Sequence, residues 1–372
     1  MFIRIILVLC LLNFPAQASE KVDRMLRQMG LDEKIGQLIL IGFRGQTINE
    51  SESILFDILK VKVGSVILFD YDAELKKRQR NIKNPAQLKK LSNDLQAISD
   101  IPLFISIDEE GGLVSRLKSR YGFSTKKSAE ELGKGKAKKT YQQARKLAKE
   151  LYDHGINLNF APVVDVNVNP TNPVIGGVRR SFSDDEHIVT LHASAFIKGQ
   201  RDENVLSVLK HFPGHGSSDA DSHLGMVDVT RSWEERELTP YSRLIRSGEV
   251  DFIMSAHVYQ RDLDPDYPAT LSQKILTGIL RNKMNFKGVI ISDDMNMGAI
   301  KDHFGQEEAI ELALKAGVDV LLFGNNIHYD KMTALKVKNT ILDLIKKKKI
   351  SVEQIHEKAK RVLELKEKEG LF

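Results

Sequence analysis

One cysteine in 372 residues leaves this chain without the means for a disulfide framework. That residue, Cys10, lies in an apolar N-terminal stretch, and Leu9 stands before it where a lipoprotein processing site requires a small residue. No stretch after Phe14 is long and uncharged enough to form a transmembrane helix. A strong excess of one charge sign is missing as well. Lys and Arg number 55 against 50 Asp and Glu, a formal charge of +5, which is not a nucleic-acid-binding balance. Gly-x-Gly-x-x-Gly does not follow the first apolar run, so nothing marks a dinucleotide-gripping open sheet. Linkers, low-complexity tracts and short repeats are also absent, which argues for one domain.

At the N-terminus, Met1-Phe2-Ile3-Arg4, the apolar run Ile5 to Phe14 and Ala16-Gln17-Ala18 have the form of a secretory signal peptide: a basic start, an apolar middle and a small-x-small cleavage site. Residues 1–18 are expected to be removed and 19–372 to form the mature domain, without cysteine and with 54 basic against 50 acidic residues. The expected destination is the periplasm or the exterior, with no stable membrane anchor. Lys346 to Lys349 form the densest basic run, and cations suit the carbonyl-rich end of a helix, so a solvated helix terminus is the expectation there.

Eight short apolar runs recur along the chain: Gln37 to Gly42, Ser65 to Phe69, Leu103 to Ile107, Leu158 to Pro162, Val205 to Leu209, Phe252 to Ser255, Val289 to Ser292 and Val320 to Phe323. Most lack period-2 alternation, as parallel strands covered on both faces do. Helix-compatible stretches alternate with them, among them Pro85 to Ile98, Lys138 to His154, Asp184 to Lys198, Ser232 to Ser247, Gln273 to Lys283 and Glu307 to Ala316. Ser183 with Glu186 predicts a capping box, and Gly317 a helix stop. Eight strand-helix units predict a single (β/α)₈ barrel closed by helices within Lys331 to Phe372.

Ionisable residues gather in Lys210-His211-Phe212-Pro213-Gly214-His215-Gly216-Ser217-Ser218-Asp219-Ala220-Asp221-Ser222-His223. Glycine and proline make this a turning loop, the kind of segment on which catalytic groups are carried. Its imidazoles and carboxylates (His211, His215, Asp219, Asp221, His223) could ligate a metal, but Pro213, Gly214 and Gly216 are incompatible with the helical histidine spacing of common zinc sites. Asp221 and His223 stand at i and i+2, on one side of an extended segment, where the carboxylate can hold the imidazole in one tautomer for proton transfer. No metal or other cofactor is expected, and loss of activity on chelation would favour a metal-dependent hydrolase instead.

A barrel carries its active site at the carboxyl ends of the strands. There the sequence sets Asp108-Glu109-Glu110-Gly111-Gly112 and Arg116 after the third run, Asp165 and Arg179-Arg180 after the fourth, Lys210-His211 after the fifth, His257 after the sixth and Asp293-Asp294 after the seventh. Each has a structural explanation on its own, Asp293 or Asp294 as a helix cap above all. Together they ring a cavity with charged and planar hydrogen-bonding groups, which suits a small polyhydroxylated ligand.

Asp-x-Glu-Gly-Gly, Lys-His-Phe-Pro-Gly-His-Gly with Asp-Ser-His following, and Ser-Asp-Asp-Met together resemble family 3 glycoside hydrolases, specifically the single-domain bacterial β-N-acetylglucosaminidases. The likeness runs from about the first strand to the eighth. It implies a retaining exo-glycosidase acting on terminal β-N-acetylglucosamine, with Asp293 where that family has its nucleophile and His223 with Asp221 where the subgroup has its acid/base dyad. Asp108, Arg116, Arg180, Lys210 and His211 fall where the family binds the terminal sugar. Ile175 to Phe182 is two residues longer than the usual Ile-Gly-x-Arg-Ser-Phe, which leaves Arg179 as the alternative to Arg180. A β-glucosidase of the same family and a sugar-binding barrel without catalysis are the competing readings.

Overall fold

The computed structural model describes residues 16–222 and 225–372, so the expected signal segment up to Phe14 and the predicted acid/base residue His223 lie outside the described residues. Eight parallel strands form the centre: β1 (Ile39–Gly42), β2 (Ser65–Leu68), β3 (Phe104–Ile107), β4 (Leu158–Asn159), β5 (Leu206–Phe212), β6 (Phe252–Ser255), β7 (Val289–Ile291) and β8 (Leu321–Phe323). They neighbour one another in chain order, with β8 returning to β1. A parallel bridge between Ile291 and Val320 joins β7 to β8 and closes the barrel.

The continuous apolar runs follow from this closure. Leu40, Ile67, Phe104, Val208, Phe252, Met254, Ile291 and Leu322 pack inside the barrel, whereas Ile39, Ile41, Val66, Ile105, Leu209, Ile253 and Leu321 pack against the helical ring. Both faces of the strands are covered, so apolar residues dominate both. Phe104 and Phe252 meet edge to face inside, 5.3 Å between centroids, an arrangement contributing about 0.5–1.5 kcal/mol beyond its buried area.

The C-terminal helix Val352–Lys368 sends Val362 and Leu365 into the inner core. Its Lys366 amine, fully buried, donates to Gln37 Oε1 and to the Gly64 carbonyl, each at 2.9 Å. Burial pushes that amine down to about 7.

Three local expectations are corrected. Regular strand in β4 covers only Leu158 and Asn159; Phe160 N still donates to the Ile107 carbonyl and the Ala161 carbonyl accepts from Val208 N, Pro162 has no N–H to donate, and a bridge between Val163 and Lys210 follows. Strand β5 runs on through Lys210 and His211 to Phe212, so the segment expected to be loop begins as strand. The helix Glu186–Arg201 is capped by Asp185, whose side chain accepts from His187 N, and not by Ser183 with Glu186; Asp185 stands next to the first turn, where its short carboxylate reaches the second N–H. Gly317 does terminate its helix, at φ +118°. The Lys346 to Lys349 run lies at the end of the helix Thr333–Lys346, with Lys347 paired to Glu307 at 2.7 Å and Lys349 to Glu311 at 2.8 Å.

Candidate active site

At the carboxyl ends of the strands lies a cavity of about 220 Å³. Asp108, Arg116, Arg180, Lys210, His211 and Asp293 form its polar wall, and Ile67, Phe69, Val114, Phe160, Met254, Met297 and Leu322 its apolar one. A pyranose presents hydroxyls at its edge and C–H groups on its faces, and a cavity lined by groups of both kinds matches both.

The polar wall is built from an ion network. Lys210, 2 % exposed, places its ammonium 2.8 Å from Asp108 Oδ1 and 2.7 Å from Glu110 Oε1. Arg180 grips Glu110 through two parallel bonds of 2.8 and 2.7 Å and donates a third to the Val174 carbonyl. Arg116 reaches Asp108 at 3.3 Å, while its buried Nε has no partner among the described residues. Burial alone would raise the Asp108 and Glu110 carboxyls, but the cations outweigh it and hold both below the usual carboxylate range. Five charged side chains are thus fixed before any ligand arrives, a preorganised set of donors and acceptors for hydroxyl groups.

His211 completes that wall. Its Nδ1 lies 2.7 Å from Asp165 Oδ2 and its Nε2 3.4 Å from Arg180 Nη2. Burial, aided by Arg180, lowers the imidazole well below its ordinary range. The ring is therefore neutral, with Nδ1–H donating to Asp165 and Nε2 left as an acceptor. Consecutive residues of a regular strand point to opposite faces, yet Lys210 and His211 both border the cavity. A register shift against β6 between Leu209 and Phe212 re-aims them, as β-bulges beside active sites do.

Asp293 and Asp294 divide their tasks. Asp294 Oδ1 accepts from Asn296 N at 3.0 Å and from Gly324 N at 3.1 Å, tying the end of β7 to the end of β8, and its carbonyl accepts from His257 Nε2 at 3.1 Å. Neither is the helix cap that the sequence also allowed: the following helix Gly298–Lys301 has Met297 at its N-cap with no side-chain bond, and Asp294 instead holds the turn before it. Both residues border the cavity, and Asp293 Oδ1 accepts from Asp294 N at 2.8 Å.

The loop after β5 is pinned at its base and exposed at its tip. Asp165 Oδ1 accepts from the His211 and His215 backbone N–H groups, at 3.2 and 2.9 Å, and Glu237 Oε2 accepts from Gly216 N at 3.2 Å. Gly214, at φ +132°, packs so closely on Glu237 that a Cβ there would lie 2.8 Å from its side chain. Burial pushes the Glu237 carboxyl up to about 8. Asp219 is exposed, Asp221 half-buried and Ser222 buried. His215 spends both ring nitrogens on hydroxyls, Ser218 at 2.8 Å and Ser222 at 3.1 Å, which leaves no lone pair directed at a metal. Among the described residues no group of three His, Cys, Asp or Glu is arranged to hold one.

The expected sugar-binding residues Asp108, Arg116, Arg180, Lys210 and His211 therefore converge with Asp293. Of the two arginines, Arg180 enters the cavity, while Arg179 turns outward at φ +60° with Glu130 at 3.6 Å. Glu110, Asp165 and Asp294 stand among the strand-end residues expected around the cavity, without an individual role there, whereas nothing in the sequence pointed to Glu237. Glu109 also works behind the wall: its carboxylate accepts from Ser115 Oγ at 2.6 Å, Arg116 N at 2.7 Å and Leu117 N at 2.8 Å, fixing the segment that carries Arg116.

Comparison with known proteins agrees with this geometry. The family described as Glycosyl hydrolase family 3 N terminal domain matches residues 30–365. Beta-hexosaminidase A of Pseudoalteromonas piscicida is 34 % identical over 336 residues, covering 84 % of this chain and 54 % of that protein. The beta-hexosaminidase of Tolumonas auensis is 41 % identical over 270 residues, covering 71 % and 76 %. Among solved structures, a family 3 β-N-acetylglucosaminidase from Paenibacillus superposes with a TM-score of 0.84 at 35 % identity, covering 92 % of this chain and 63 % of that one. The chain thus spans a little over half of the first of these relatives and under two thirds of the Paenibacillus protein.

Proposed function

Because the chain belongs to glycosyl hydrolase family 3, we propose that it is a retaining exo-glycosidase that removes terminal, non-reducing β-N-acetylglucosamine through a covalent glycosyl-enzyme. The observation that carries this reading is the fixed network of Asp108, Glu110, Arg180 and Lys210 on the wall of a one-sugar cavity that Asp293 also borders. A cavity of about 220 Å³ suits one ring with the remainder of the substrate outside, which is the requirement of an exo-acting enzyme.

In the first step Asp293 attacks the anomeric carbon as the bond to the leaving oxygen breaks, and an acylal ester forms on its carboxylate. Asp108, Arg116, Lys210 and His211 hold the ring hydroxyls while positive charge develops at that carbon. Proton delivery to the leaving oxygen falls to His223, oriented by Asp221. In the second step the same imidazole takes a proton from water, which attacks the anomeric carbon, breaks its bond to the carboxylate oxygen and releases Asp293. A histidine in place of the usual second carboxyl group avoids a further negative charge beside the oxygen being protonated. An export signal would direct the enzyme to the periplasm or beyond, and among the described residues no helix is long and apolar enough to cross a membrane.

A screen of chromogenic β-glycosides tests the assignment. The N-acetylglucosaminide is expected to be turned over with the highest kcat/KM, and preference for the glucoside would replace this reading with that of a β-glucosidase.

A further inference from the structure

Ser222 stands between the two members of the proposed dyad, where the spacing alone makes it a spacer. Its contacts assign it more. On one side its hydroxyl meets His215 Nε2 at 3.1 Å, and His215 is itself held by Ser218 at 2.8 Å. Ser218 is in turn bound by Asn172 Nδ2 at 3.1 Å, and its carbonyl by Asn169 Nδ2 at 2.9 Å. On the other side the Ser222 carbonyl accepts from Ala299 N at 3.4 Å. Ala299 lies in the short helix Gly298–Lys301, which has no side-chain cap, so its first-turn N–H groups need partners from outside the helix. Met297, immediately before that helix, lines the cavity together with Asp293.

We propose that Ser222 is a positioning residue, a latch that joins the loop bearing Asp221 to the segment that follows Asp293. The proposal rests on the reading of that loop as the acid/base loop. His215 anchors the latch from beneath. Burial lowers its pKa and keeps the ring neutral, so one nitrogen donates and the other accepts. Either tautomer satisfies both serine hydroxyls, because a hydroxyl can donate or accept. The anchor itself is fixed by its neighbours: Asp165 holds the His215 N–H and Asn172 the His215 carbonyl, at 2.9 and 2.7 Å. A cross-link near the tip of a loop with a rigid base steadies its proton-transfer groups against a nucleophile on another strand. Ser222 supplies one, with its side chain tied to the loop's own base and its backbone to the segment after β7.

The test uses Ser222→Ala in the full chain with two independent readouts. Amide hydrogen exchange at Ala299 is expected to quicken by about tenfold, the scale of losing one hydrogen bond that steadies its acceptor, while the Ile290 amide, bound to Asp319 Oδ2 at 2.8 Å, stays as protected as before. Turnover of a disaccharide is expected to fall by about tenfold or more, with a melting temperature lowered by only a few degrees for the lost buried hydrogen bond and a much smaller loss on a dinitrophenyl glycoside, which leaves without a proton. Unchanged exchange at Ala299 overturns the latch whatever the activity shows. Equal losses on both substrates overturn its role in proton transfer. If exchange quickens but His223→Ala leaves the dependence on leaving group unaltered, the acid/base reading of the loop is what fails, and the mechanical link stands.

Discussion

Lys210 and Asp108, 102 positions apart in the chain, meet at 2.8 Å at the mouth of the barrel. Lys210 also serves Glu110, so removing it leaves one buried and one half-buried carboxylate short of a cation. Lys210→Met is therefore expected to cost about 3–5 kcal/mol of stability, the range for breaking a buried ion pair from one side. Asp108→Asn leaves Lys210 paired with Glu110 and should cost about 1–2 kcal/mol, yet lower kcat/KM on the order of 100-fold through lost charge-assisted bonds to the sugar. Denaturant melts and steady-state kinetics on the two variants check this, and equal stability losses would contradict it.

The neutral state of His211 and His215 sets a pH dependence of stability. Burial lowers both below their ordinary value, so on acidification the unfolded chain takes up protons that the folded one refuses. Stability then falls as pH drops below about 6.5, the unfolded histidine value, and continues to fall until the depressed folded values are reached. His215→Gln should reduce the slope of melting temperature against pH between about pH 7 and 5. A slope identical to that of the parent protein would mean that His215 binds protons alike in the folded and unfolded states.

Lys366 predicts the opposite side of the pH scale. With its folded value lowered to about 7 and an unfolded value of about 10.4, the unfolded state holds the extra proton throughout that window. Stability should rise as pH increases from 7 toward 10 and be flat below it. Lys366→Met should remove most of this rise, as measured by chemical denaturation at each pH. A rise that survives the substitution would assign it to other groups.

The strands could be located from sequence because a barrel strand buries both faces, and the apolar runs at Ser65, Phe252 and Val289 contain little else. The strand-end rule then pointed to Asp108, Arg116, Lys210, His211 and Asp293, since reactive side chains in those places have no core to join. What stayed hidden was the division of labour within Asp108-Glu109-Glu110. Glu109 turns back to hold Arg116 in its own loop, whereas Glu110 crosses to Arg180, 70 residues away. Adjacent, chemically alike residues differ only through partners that the fold brings near. Ser183 was misread for a related reason. Two acceptors, Ser183 and Asp185, compete at that helix start, and the backbone geometry chooses the nearer one.

His223 separates proton transfer from ligand binding. If it protonates the leaving oxygen, His223→Ala should lose on the order of 10²–10⁴-fold on a disaccharide and much less in glycosylation with an activated aryl glycoside. Asp221→Ala should show a milder form of the same pattern, because it orients the imidazole without carrying the proton. The slope of log kcat/KM against leaving-group pKa, compared between parent and variant, is the observable. Equal slopes would make His223 a binding or structural residue.

The central claim is that Asp293, and not its neighbour, attacks the sugar. Asp294 already spends Oδ1 on Asn296 and Gly324, so Asp294→Asn should mainly weaken the junction of β7 and β8, while Asp293→Ala should abolish turnover and leave the fold intact. The direct measurement is mass spectrometry of peptides after reaction with a 5-fluoro N-acetylglucosaminyl donor bearing a good leaving group, which slows release of the glycosyl-enzyme. A glycosyl adduct on Asp293, with inactivation in proportion to labelling, is the expected result. An adduct on Asp294, or full turnover by Asp293→Ala, would contradict it.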